Sequence, residues 1–136
     1  MARVTIGLLM LACGAAWSAA SGQAAPRHLE GVWGGEQIRV AATAADVEIQ
    51  IACLRGRADA PAEIGADGTF TVSLRLLPMQ GVNLQEDDVR APVTVRGRVG
   101  DDRLRLEVGP PGAEGAGTYE LVRGRRATLP DCRRRG

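Results

Sequence analysis

Few side chains able to act as a nucleophile or base stand beyond residue 25. His28 is the only His, Ser73 is the only Ser after Ser21, and Lys is absent from all 136 residues. His28 precedes the first alternating apolar segment, and Ser73 falls on the polar side of a later one. Nothing joins the two as nucleophile and base. Carboxylates are plentiful, and their tightest runs are Glu86-Asp87-Asp88 and Asp101-Asp102. Paired carboxylates support acid–base catalysis, and spaced ones hold calcium. Neither run has the ligand spacing of a calcium loop, and both lie in turn-like stretches, which Asp favours. They are therefore read as turn and solvent residues. No Gly-rich phosphate loop follows a strand, and His28 has no companions for a metal set. The expectation is a protein without catalytic residues, cofactor or metal, and not an enzyme.

The arginines are more informative. All 17 basic residues are Arg, set against 16 acids for a net charge of +1. Such a balance lacks the basic excess of a nucleic-acid binder, and four aromatics do not make a base-stacking platform. Arg96, Arg98 and Arg105 lie on the polar sides of two alternating segments, Val93–Val99 and Leu104–Val108. A two-residue turn at Asp101-Asp102 keeps Val99 and Leu104 on one face, so Arg98 opposes Arg105 and Arg96 opposes Glu107. Like charges in register are mildly unfavourable. The group is a candidate anion patch, weighed against the favoured reading of a solvated face.

The elements that position these residues follow from period two. Val47-x-Ile49-x-Ile51-x-Cys53, Phe70-x-Val72-x-Leu74-x-Leu76 and the two segments above alternate apolar with polar, the mark of half-buried strands. Weaker strands are expected at Gly31–Trp33, Gln37–Ala41, Ala62–Ile64 and Thr118–Arg123. Gly34-Gly35, Ala45-Asp46, Asp67-Gly68, Gly100-Asp101-Asp102 and Gly109-Pro110-Pro111-Gly112 read as turns. About eight short antiparallel strands in a single all-β domain over 25–136 fit an up-and-down β-barrel, with a β-sandwich as the alternative. Arg133-Arg134-Arg135 forms a basic C-terminal tail.

Residues 1–24 read as a signal peptide: Met1-Ala2-Arg3, an apolar run from Val4 to Cys13, then small residues. Cleavage sites fit before Ser21 or Ala25. The apolar run is too short to span a bilayer, so no transmembrane segment is expected after cleavage. Cys13 follows Met10-Leu11-Ala12, a poor lipobox, and a lipid anchor there is the weaker reading. The expected location is outside the cytoplasm, periplasmic or extracellular. Cys53 and Cys132 then remain as an even pair in an oxidising compartment, which predicts one disulfide. It closes a loop of about 80 residues, worth about 4–5 kcal/mol in the chain-entropy account.

Gly31-Val32-Trp33, opening a run of antiparallel strands, resembles the calycin barrels (lipocalins, avidins and small bacterial protease inhibitors). The resemblance implies that Trp33 closes one barrel end and that an Arg of the last strand packs across it. Arg123 shares a strand face with Tyr119 and Leu121, so it is expected to point inward and stack on Trp33, beside Gly31. A broader resemblance joins Gly31-Val32-Trp33-Gly34-Gly35, Cys53-Leu54-Arg55-Gly56, Gly68-Thr69-Phe70, Gly117-Thr118-Tyr119-Glu120-Leu121-Val122-Arg123-Gly124 and Cys132. Together they are similar to a group of small exported bacterial proteins of unknown function. That likeness implies a fold and a disulfide, not an activity.

Two functions are carried forward. One is a binding barrel that admits a small apolar ligand to its interior. The other is an interaction module that engages another envelope protein, as inhibitors of this architecture do. The Pro78–Pro92 stretch is long for a plain connection, and Met79, Val82 and Leu84 make it a candidate lid or docking loop.

Overall fold

A computed structural model describes residues 27–79 and 91–132. The expected leader 1–24 with Cys13, the loop residues Val82, Leu84 and Glu86-Asp87-Asp88, and the Arg133-Arg134-Arg135 tail lie outside the described residues. Within them the chain is all-β, without a helix.

Eleven strands form: β1 (Arg27–His28), β2 (Gly31–Gly35), β3 (Ile38–Ala42), β4 (Val47–Ile51), β5 (Leu54–Arg57), β6 (Glu63–Ile64), β7 (Thr69–Leu74), β8 (Leu77–Pro78), β9 (Val93–Gly100), β10 (Arg103–Gly109) and β11 (Gly117–Arg123). Nine of them make one antiparallel sheet in the order β7-β9-β10-β11-β2-β3-β4-β5-β8, and β1 pairs with β6 in a small second sheet. The nine-stranded sheet curls into a half-barrel of up-and-down connectivity. One continuous curled sheet, rather than two stacked sheets, sets the sandwich alternative aside. Its edge strands β7 and β8 are consecutive in the chain, and Leu74 of β7, which pairs with Val93, also makes an isolated bridge to Ala58, just past β5.

The alternation read in the sequence becomes an inside and an outside. β4 and β3 bury every second residue, and β9 and β10 do the same. The inward residues form one apolar core, with Trp33, Ile38, Val40, Val47 and Val95 wholly buried. The β9–β10 hairpin has the expected register, Val99 with Leu104, Gly97 with Leu106 and Arg98 with Arg105. Asp101 takes a positive φ of 49° in its turn.

Two turns differ from expectation. The segment Val47–Cys53 is not one strand: β4 ends at Ile51, Ala52 adopts φ 50°, and Leu54 returns opposite Ile51 as β5. Leu54-Arg55-Gly56-Arg57 is short and carries a Gly, so its own alternation is faint. Gly34-Gly35 is strand rather than turn, and the reversal falls on Glu36-Gln37, with Gln37 at φ 67°. Glycine is needed at 34 for close approach. A Cβ there would strike the carbonyl of Arg125 and come within 2.8 Å of the Ala127 amide.

Candidate functional site

Residues 124–132 run back across the outside of β2. Gln37 N–H donates to the Thr128 carbonyl (2.8 Å) and Thr128 N–H to the Gly35 carbonyl (3.1 Å). This strap ends at Cys132, bonded to Cys53 in the β4–β5 turn with the Cα atoms 5.5 Å apart.

Trp33 lies on β2. Its ring is fully buried, and its Nε1–H donates to the Glu30 carbonyl at 3.2 Å. Leu29 and Ala62 are buried with it, tied by Leu29 N–H to the Ala62 carbonyl at 2.9 Å. β11 pairs with β2 so that Arg123 lies opposite Trp33, and the guanidinium carbon sits 4.8 Å from the ring centroid. Arg123 is exposed, although as the cross-strand partner of Trp33 it shares that residue's face of the sheet. It reaches the ring at the barrel's lip, where one side of the guanidinium faces the indole and the other faces water. Gly31 is held there by its backbone, at φ 103°, and not by space: a Cβ would meet Trp33 Nε1 at 3.8 Å and Arg123 Nε at 4.0 Å, ordinary contact distances.

The outer surface carries charge in two contrasting arrangements. On β4–β5 the arginines are matched. Arg57 stands opposite Glu48 and lies 3.6 Å from it and 3.4 Å from Asp46, and Arg55 lies 3.4 Å from Glu48. On β9–β10, Arg98 opposes Arg105, and among the described residues neither these nor Arg96 has an acid within ion-pair distance. Arg96, Arg98 and Arg105 line a shallow depression of about 450 Å³ together with Thr69, Thr71 and Glu107. Its floor is the β9 backbone at Gly97, beneath which the Phe70 ring occupies the space a side chain at 97 would need.

A larger open groove of about 970 Å³ shares Arg98 and Arg105 and adds Arg103, Arg125, Glu36, Asp67 and Glu120. Asp67 accepts from the Thr69 hydroxyl (2.7 Å) and amide (3.1 Å). Those two bonds, with a smaller contribution from the Arg98 charge, hold its carboxyl below the usual value. Tyr119 donates its hydroxyl to the Gly115 carbonyl at 2.8 Å, and burial raises its pKa.

The remaining candidates are dispersed. Met79 is exposed beside a third depression of about 690 Å³ bounded by Glu48, Arg55, Arg57 and Pro92. Ser73 is exposed on the outer face of β7, while His28 pairs with Glu63 in the small sheet. Among the described residues no group of three or more His, Cys, Asp or Glu side chains could hold a metal ion, and no helix is long and apolar enough to cross a membrane. Sequence reasoning missed Asp67 and Arg125 as neighbours of the arginine pair, because their approach depends on the strap and on a turn outside the two strands; Arg103, two residues before Arg105 on β10, lay within reach of the alternation. The chain matches no family model, no curated protein and no solved structure.

Proposed function

We propose that this protein is a non-enzymatic, exported β-barrel module that engages another envelope protein through its outer surface, with a distant kinship to the calycin barrels. The observation that carries this reading is the filled interior. A sheet of about eight or nine short strands curls tightly enough for its own side chains to fill it, and here Trp33, Ile49, Ile51, Leu74, Leu104, Leu106 and Leu121 are buried within the curl in one cluster. The three depressions instead open outward between charged rims. That favours a protein surface over an apolar small molecule, the competing reading, which needs an empty core. The disulfide supports an oxidising compartment.

Native mass spectrometry of the protein purified from the exported fraction tests the choice. A stoichiometric protein partner is the expected result. A bound lipid or other apolar small molecule, released on unfolding, would overturn it.

A further inference from the structure

We propose that the depression over β9–β10 is the docking surface of this module, and that its occupant is an extended acidic segment of a partner protein, with carboxylates at alternate positions. The inference rests on the interaction-module reading and adds the surface and the partner's chemistry. Three arginines and one glutamate face a common hollow; although Glu107 stands opposite Arg96 and Glu120 opposite Arg105, none of the three arginines is in an ion pair among the described residues, whereas those of β4–β5 are. A surface that neutralises one set of cations and leaves the other in like-charge register is complementary to negative charge supplied from outside.

The spacing selects an extended peptide. Arg96 and Arg98 are two residues apart on one strand and share its outer face, so they repeat at about 6.7 Å. Alternate residues of an extended segment repeat at that same distance. Arg105 stands across from Arg98, giving one carboxylate two guanidinium forks at that end, and such charge-assisted pairs are the stronger hydrogen bonds. At the other end Arg96 offers one fork and Glu107 stands opposite it. Thr71 flanks Arg96 on β7 and adds a hydroxyl donor, whereas the Thr69 hydroxyl is already given to Asp67. A nucleic acid fits less well, because Glu107 interrupts the cationic row and the only aromatic at the hollow, Phe70, is buried below its floor.

The test is fluorescence anisotropy of a labelled peptide of alternating Glu and Thr, titrated with the oxidised protein at low salt. Binding is expected, with a loss of about tenfold or more from Arg98→Ala or Arg105→Ala. Arg55→Ala should change it less than twofold, and a Gln–Thr peptide should not bind. An equal loss from Arg55→Ala would mean unspecific charge attraction and overturn the proposal. So would binding of sulfate or a single-stranded oligonucleotide without binding of the peptide. Partner capture by Arg98→Ala/Arg105→Ala equal to that of the unaltered protein would remove this surface and leave the module reading standing. A bound small molecule in place of a partner, with peptide binding as stated, would do the reverse.

Discussion

Arg98 and Arg105 meet across two strands with hydroxyl-bearing Thr69 on one flank and Glu120 on the other. The free protein carries their repulsion as a small cost, and Arg98→Glu turns it into an attraction. Against that, the new acid faces Asp67. The expected result is a gain of a few tenths to about 1 kcal/mol in urea unfolding, together with loss of acidic-peptide binding. A destabilised variant would refute this account of the pair. Asp67 makes a second prediction. Its folded pKa is depressed below the ordinary 3.8, chiefly by the Thr69 hydroxyl and then by the Thr69 amide. Its contribution to stability is present above that value and is lost as pH falls below it, through the lower folded pKa. Asp67→Asn should therefore be the less stable protein at pH 7, and the gap should close in acid. A gap independent of pH would deny the carboxylate this role. The arginine pair was legible in the sequence because a two-residue turn fixes every cross-strand partner once one is known. The Asp67 bonds were not, since nothing in Asp67-Gly68-Thr69 tells which donor its carboxylate accepts from.

At the scale of elements, Trp33 and Arg123 join the strand that opens the main sheet to the one that ends it. The cation–π contact at an exposed site is worth about 0.5–1 kcal/mol. Arg123→Ala should lower urea stability by about that amount and shift the emission of Trp33, the only Trp after residue 24. Arg126→Ala, at an exposed position past the strand end, should do neither. Equal effects from both would leave the stack without consequence. The four strongly alternating segments were legible as strands, for their apolar residues are full-sized and regularly spaced, but two overran: β4 stops at Ile51 rather than Cys53, and β7 at Leu74 rather than Leu76. β5 and β8 were not legible. β5 follows a turn made by Ala52 rather than by glycine, and β8 is two residues long and ends in Pro78. The return strap was also invisible, because Arg125-Arg126-Ala127-Thr128 carries no apolar period. Only Gly34 hints at it, as a strand residue that no side chain could replace.

For the whole molecule one of the shortest joins is between β11 and β2, with two residue pairs, as in β5–β8, where β9–β10 has seven. The strap crosses the outside of β2 beside that join and is pinned at its far end by Cys53–Cys132. Cys53→Ser/Cys132→Ser should cost about 4–5 kcal/mol, with amide exchange rising first in β2, β11 and 124–130. A loss below about 1 kcal/mol would mean that the strap holds without its pin. The placement of the join also dictates an order of events for a chain delivered N-terminus first across a membrane. The meander β2-β3-β4-β5 needs only neighbouring segments and is available early, whereas the partner of β2 is the last strand to emerge. Until Gly117–Arg123 arrives, β2 presents an unpaired edge, the kind of strand that recruits other chains. Release of a chain stopped before residue 117 should therefore give oligomers rather than monomers, with β2 as the edge that pairs between copies.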